Sequence, residues 1–325
     1  MITKENKYMS KDYTNCIRGI FAILVVIHHL YQYSGLFNGT YIGALLQLSG
    51  ALSVSVFFFF SGYGLMFSSN KDNYTDTFFR KRFLPLYCFY IILIILYSLW
   101  TLLLERSISP KLVVQSFFFG GTVVTNGWYL QVTFIVYLLF LLSLKIFKSS
   151  KIRILSLSIA IFAYCVFCCL FDLSIFWYQT IPCFILGMIY CYNKKWIDTL
   201  LTKQVWLIFI SSGFLFAICI ILSKLSSIGI IFDVLYSLFF VSAMITLSYI
   251  LCNTPIIKNK FFALCGNYSL EIYVTHGLFL RLIKFKYLEN KLIYILVVIV
   301  GTIVASVIMK KIHTKIVSLF SNTKK

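Results

Sequence analysis

An arginine and a histidine stand inside the first long apolar run of the chain, Cys-Ile-Arg18-Gly-Ile-Phe-Ala-Ile-Leu-Val-Val-Ile-His28-His29-Leu. An ionisable side chain at the centre of a lipid-embedded helix costs about 3 kcal/mol unless it faces a protein interior, so both are functional candidates. Eleven residues at about 100° each bring Arg18 and His29 back almost to one helical face, roughly 16 Å apart along the axis. That face carries a cation near one membrane surface and an imidazole deep in the bilayer. Imidazoles exchange protons near neutral pH, which makes His29 a candidate for proton-transfer chemistry. His28 points about 100° away and reads as a packing or hydrogen-bonding partner.

Four further segments could carry chemistry, and each has a structural alternative. Gly50-Ala-Leu-Ser53-Val-Ser55 with Ser61-Gly62-Tyr63-Gly64 is dense in small residues, which let helices approach closely in lipid. Arg80-Lys81-Arg82 is a basic cluster that serves either as a topology signal or as a phosphate clamp at the membrane surface. Trp128-Tyr129-Leu130 suits an interfacial aromatic belt or a platform for a sugar ring. In Gly266-Asn-Tyr-Ser269-Leu-Glu271-Ile-Tyr273-Val-Thr-His276, helical spacing puts Ser269, Tyr273 and His276 on one face and Glu271 off it. Counted from a span opening near Ala263, His276 lies about 20 Å deep, the depth of His29. Two imidazoles at equal depth suggest one pocket.

The elements that must position these residues are transmembrane helices. The chain has 325 residues, of which 60% are hydrophobic, 18% aromatic and 12% charged, and its apolar runs recur along the whole length. Ten spans are expected, near 14–34, 44–67, 83–104, 128–144, 154–171, 177–192, 205–223, 230–251, 263–280 and 292–309. The expected fold is an all-α polytopic membrane bundle forming a single transmembrane domain over 1–325, with no appended soluble catalytic domain. An even number of spans puts both termini on one side. Of the 29 lysines and arginines, 22 fall on that side and 7 on the other, which makes the termini cytoplasmic by the positive-inside bias. Topology and anionic lipid then account for much of the +19 charge, and no nucleic-acid partner is needed. The segment 281–291 is an exception: it falls outside yet carries Arg281, Lys284, Lys286 and Lys291, and is either a topological anomaly or an electropositive rim. The ten cysteines read as core or lipid-facing residues, and no metal site is expected. Broken helices and internal repeats are not apparent.

Taken together and in order, these residues resemble the acyltransferase-3 family of bacterial integral membrane acyltransferases. Arg-x10-His fits Arg18 and His29, the small-residue run fits 50–64, the basic cluster fits 80–82, Trp-Tyr-Leu fits 128–130 and Gly-x-x-Ser-Leu-x-Ile-Tyr-x-x-His fits 266–276. The resemblance implies transfer of an acyl group, usually acetyl, from cytoplasmic acyl-CoA as co-substrate, without a further cofactor. The acceptor it implies is a hydroxyl of a cell-surface glycan or glycolipid, reached from the bacterial cytoplasmic membrane. Arg18, His29 and His276 would be catalytic. Arg18, Arg80, Lys81 and Arg82 would hold the donor, and Ser61, Trp128, Tyr129, Ser269 and Tyr273 would line the acceptor pocket. One departure concerns the basic loop, where the family commonly places a second arginine three residues after the first; Arg82 is followed at that spacing by Pro85.

A transporter or flippase for a lipid-linked glycan could line its path with the same ionisable residues. A glycan polymerase or a structural subunit is a third class, and neither of these would respond to acyl-CoA.

Overall fold

Backbone N–H and C=O groups in lipid must be satisfied within their own segment, and runs this apolar do so as helices. The computed structural model describes residues 8–104, 107–257, 259–284 and 290–321, and among these there is no strand. The chain runs through α1 (Lys11–Ser34) and α2 (Tyr41–Ser68) to α3 (Tyr74–Phe78). A π-helical turn, Phe79–Phe83, joins α3 to α4 (Leu84–Leu103). Then come α5 (Pro110–Phe117), α6 (Trp128–Ile146), α7 (Ser150–Leu170), a 3-10 turn at Ile175–Trp177, and α8 (Pro182–Tyr192). The remainder is α9 (Lys194–Leu225), α10 (Gly229–Ile250), α11 (Lys260–Asn267), α12 (Ser269–Lys284) and α13 (Lys291–Ser321). Proline opens α5 and α8, where its missing N–H has no intrahelical acceptor to lose.

Nine helical stretches among the described residues are long and apolar enough to cross a membrane, so the protein is all-α and polytopic. They match nine of the ten expected spans. The remaining one, 263–280, is not a continuous helix: it breaks at Tyr268 into α11 and α12, and the 16 residues of α12 fall short of a full crossing. Helix breaks are therefore present, contrary to the sequence reading. Two segments expected to be loops are also helical. Residues 194–203 continue into α9 across a kink at Gln204 (φ −136°), and α13 runs on through Ser321. At about 1.5 Å per residue α13 is roughly 46 Å long, more than the ~30 Å hydrocarbon core needs. Of the cations used for the topology, Lys4, Lys7, Arg106, Lys258, Lys286, Lys324 and Lys325 lie outside the described residues, as does the side chain of Lys284.

The chain divides into two compact units. Unit 1 comprises Met1–Phe21, Leu48–Asp72 and Ser143–Asn267. Its helices meet at glycines. A Cβ on Gly19 would lie 1.9 Å from the Phe262 carbonyl oxygen, and one on Gly266 would lie 1.8 Å from that of Asn15, so α1 and α11 touch backbone to backbone. Gly62 on α2 and Gly187 on α8 do the same against Phe184 and Phe59. The packing expected of the 50–64 run is thus found at Gly62, while Ser53 and Ser55 are fully buried and donate to carbonyls one turn back. Leu155, Ile159 and Phe162 of α7, and Leu207, Ile210 and Phe214 of α9, are exposed apolar rows suited to lipid.

Unit 2 comprises Ala22–Gln47, Asn73–Leu142 and Tyr268–Lys325. Val26 and Leu30 of α1 pack with Leu280 of α12 and with Tyr294 and Val298 of α13 in one core. A buried ionic cluster secures the first turn of α12: Glu271 is wholly buried, receives a hydrogen bond from His313 Nδ1 at 2.7 Å, and pairs with Lys310 at 3.3 Å. His313 in turn stacks on Phe89 of α4 with 4.5 Å between ring centroids.

Candidate functional site

Unit 2 gathers the histidines. About five turns of α1 carry His29 to the ring of His276 on α12, and the two stack with centroids 5.1 Å apart and planes inclined by 21°. The two imidazoles expected to share a pocket meet, although the counted span is broken about two turns before His276. His29 is half-buried and His276 fully buried.

Each ring is oriented through Nδ1. In His276, Nδ1 donates to the Ile272 carbonyl at 3.1 Å; in His29, Nδ1 donates to Gln32 Oε1 at 2.9 Å. A neutral imidazole that donates through Nδ1 leaves a basic lone pair on Nε2. The Nε2 of His276 is buried and has no hydrogen-bond partner among the described residues. A buried polar atom in that condition is costly unless a ligand or water completes it. His28 instead turns its Nδ1 to the Leu46 carbonyl at 2.7 Å and sits edge-on to His29, with 4.7 Å between centroids. It is buried and structurally engaged, as its helical angle suggested.

An aromatic line extends from the imidazoles. Tyr273 meets His276 edge-on at 5.9 Å, Tyr129 meets Tyr273 at 5.0 Å, and Trp128 meets Tyr129 at 6.3 Å. Trp128 and Tyr129 open α6 and are half-buried. The Tyr273 hydroxyl donates to the Asn126 carbonyl at 3.0 Å, tying α12 to the turn that precedes α6. Ser269 opens α12, half-buried, two turns before His276.

The other expected site residues are placed separately. In unit 1, Arg18 is half-buried and its guanidinium donates to Asn15 Oδ1, whose amide donates to Asn267 Oδ1 at 2.6 Å. Ser61 is half-buried on α2, also in unit 1. In unit 2, Arg80, Lys81 and Arg82 all lie on the π-helical turn Phe79–Phe83. Such turns widen the helix by one residue and recur at functional sites. Lys81 and Arg82 are exposed, while Arg80 Nε donates to the Phe320 carbonyl near the end of α13 at 3.2 Å.

Sequence reasoning assigned no role to Lys310 or His313, and placed Glu271 only as lying off the catalytic face. The polar start Asn267-Tyr-Ser269-Leu-Glu271 was the available signal of a new helix needing an anchor. Sequence reasoning left the segment 281–291 as either a topological anomaly or an electropositive rim; of its cations, Arg281 turns its guanidinium inward, donating to the hydroxyls of Thr101 and Thr125 and to the Val123 carbonyl, because these oxygens satisfy it where lipid would not.

The profile of one family, described as an acyltransferase domain, matches residues 11–311, nearly the whole chain. The chain belongs to the acyltransferase-3 family. It is a multi-pass membrane acyltransferase. No curated protein and no solved structure gave a match. Membership covers all the elements that carry the imidazoles, the aromatic line and the basic π-helical turn.

Proposed function

We propose that this acyltransferase moves an acyl group, acetyl in the simplest case, from cytoplasmic acyl-CoA to a hydroxyl of a cell-surface polysaccharide or glycolipid, in the cytoplasmic membrane of a bacterium. The observation that carries this reading is the stacked pair His29 and His276, with a bare buried Nε2 on His276 and aromatic rings leading up to it. Acyl-CoA is polyanionic and does not cross lipid, whereas the glycan lies outside, so the reacting groups must meet within the membrane. Imidazoles held in the bundle, with no ion partner among the described residues, suit that meeting.

In the reaction the acceptor oxygen attacks the thioester carbonyl, a C–O bond forms, the C–S bond breaks, and the hydroxyl proton passes through an imidazole to the departing thiolate to give free CoA. His29 acts as general base or carries the acyl group itself as an acyl-histidine. His276 orients the acceptor, stabilises the oxyanion or serves as second proton carrier. The exposed Lys81 and Arg82, with Arg80 beside them, take the nucleotide phosphates, and Arg18 takes the pantetheine arm or diphosphate. Trp128, Tyr129 and Tyr273 stack against the acceptor sugar, with Ser269 adding a hydroxyl. The same reading places the termini and the basic cluster in the cytoplasm.

The test uses purified protein in detergent with radiolabelled acetyl-CoA. Free CoA should appear slowly in buffer and faster when envelope glycan extracted from gene-deleted cells is added, with label entering the glycan. Mass spectrometry of surface glycans should show an acyl mass lost on deletion. The break at Tyr268 is the one feature that favours the flippase alternative, since transporters build sites at broken helices. A flippase would leave the thioester intact in the same assay.

A further inference from the structure

Tyr273, Gly277 and Arg281 recur every fourth residue of α12 and so form one stripe on its surface. All three meet the connection 118–127, which lacks regular secondary structure and delivers Trp128 and Tyr129 at the start of α6. Tyr273 reaches the Asn126 carbonyl at 3.0 Å. Gly277 admits Thr125 and Tyr97 so closely that a Cβ there would stand 2.6 Å from the Thr125 Cβ and from the Tyr97 hydroxyl. Arg281 spans the far end, with Nε on Thr125 Oγ1 at 2.8 Å, one terminal nitrogen on the Val123 carbonyl and the other on Thr101 Oγ1. Its charged plane also lies over the Tyr97 ring, 5.1 Å from the centroid.

A guanidinium is unusual glue for a loop. Among the described residues no carboxylate pairs with Arg281, and the three oxygens it meets are neutral. It bridges three separate pieces, namely α12, α4 through Thr101, and the loop through Thr125 and Val123. The loop's other end is fixed independently, by Gln131 donating to the Gly121 carbonyl at 2.9 Å and by Tyr90 bonding Thr122 at 2.8 Å. What Arg281 adds is a fixed register between the loop and the helix that carries His276, five residues earlier on α12.

We propose that Arg281 is a positioning residue for the acceptor: it sets the aromatic pair Trp128 and Tyr129 against the helix of His276 and so governs how well the acceptor sugar is held, without touching the thioester. The inference rests on the acyl-transfer reading and adds to it a residue that acts only on the acceptor half of the reaction. Lysine keeps the charge but supplies one point donor in place of a planar fork, so Arg281→Lys cannot hold all three oxygens in the same geometry.

The experiment measures, for wild type, Arg281→Lys, Arg281→Gln and Thr125→Val, both acetyl-CoA hydrolysis in buffer and label transfer to the extracted envelope glycan. Hydrolysis should stay within about twofold of wild type in every variant. The apparent KM for glycan should rise at least about fivefold in both Arg281 variants and by a smaller factor in Thr125→Val, with kcat changed less than KM. An unchanged glycan KM, or hydrolysis and transfer falling in parallel, overturns the proposal. Should both Arg281 variants fail to fold, Thr125→Val decides, and a wild-type KM there overturns it too. A wild type that neither hydrolyses nor transfers from acetyl-CoA removes the underlying reading instead, which the wild-type arm reveals on its own.

Discussion

The two units lean on different contacts, although each uses both kinds: Gln179 also bonds the Asp233 carbonyl across elements of unit 1, and Gly277 admits Thr125 closely in unit 2. In unit 1, helices meet where side chains are missing: Gly19, Gly62, Gly187 and Gly266 each face a carbonyl at about 2 Å from where a Cβ would stand. In unit 2, side chains bond backbone oxygens across elements: Tyr97 to Val274, Trp100 to Leu278, Tyr273 to Asn126 and Arg281 to Val123. Close backbone contact gives dispersion at many atoms but tolerates no added volume, whereas side-chain bonds can be trimmed one at a time. Substitutions in the first region should therefore act on folding, and those around the imidazoles on chemistry.

The largest effect should follow from filling a glycine contact. In Gly266→Ala the new methyl would stand 1.8 Å from the Asn15 oxygen, a backbone atom that cannot rotate away, so α1 and α11 must separate. A loss of about 3 kcal/mol is expected, the upper end of overpacking costs. Thermal unfolding in detergent checks it, and a midpoint within about 2 °C of wild type would mean that the helices are not in backbone contact. His29→Ala should behave in the contrary way. Its ring is half-buried and bonded to the exposed Gln32, so the protein should fold normally while acyl transfer falls at least about a hundredfold, as loss of a general acid–base group usually gives. Full activity in that variant would end the mechanism proposed above.

A smaller, purely kinetic effect is expected at the π-helical turn. Lys81 and Arg82 are exposed and Arg80 is half-buried with its Nε on the Phe320 carbonyl, so the double variant Arg80→Gln, Arg82→Gln should fold. Its KM for acetyl-CoA should rise about tenfold, with kcat nearly kept, because the nucleotide is remote from the reacting carbonyl. An unchanged KM with a lost kcat would assign the cluster another role.

How far the sequence reached depended on whether a pattern was local. The meeting of His29 and His276 could be anticipated by counting residues, since helix rise fixes distance along an axis and the two counts agree. Gly62 could be read as a contact because small residues in an apolar helix have few other uses. The break at Tyr268 was passed over because hydropathy averages across it, although Gly266-Asn267 followed by Ser269 and Glu271 has the composition of a helix stop and restart. Lys310 was counted as a topology charge and His313 was given no role: their partner Glu271 is about forty residues away, and no spacing rule joins them. Arg281 was counted as a loop cation for the same reason, since its acceptors are two threonine hydroxyls and a carbonyl that leave no charge pattern to match.

The finest division of the two behaviours lies between adjacent histidines on α1. His28 is buried and donates to the Leu46 carbonyl at 2.7 Å, whereas His29 stacks on His276. Replacing His28 by alanine removes one hydrogen bond from a buried side chain, which should lower stability by about 1 kcal/mol. The imidazole pair itself loses only an edge contact. Acyl transfer per folded molecule should thus stay within a few-fold of wild type, the smallest catalytic effect in the series. Asparagine keeps a donor near the Leu46 oxygen, and His28→Asn should recover part of the lost stability without changing turnover. If His28→Ala instead matched His29→Ala in activity while folding normally, the chemistry would belong to all three imidazoles as a unit, and the separation of folding from chemistry along α1 would fail at its closest point.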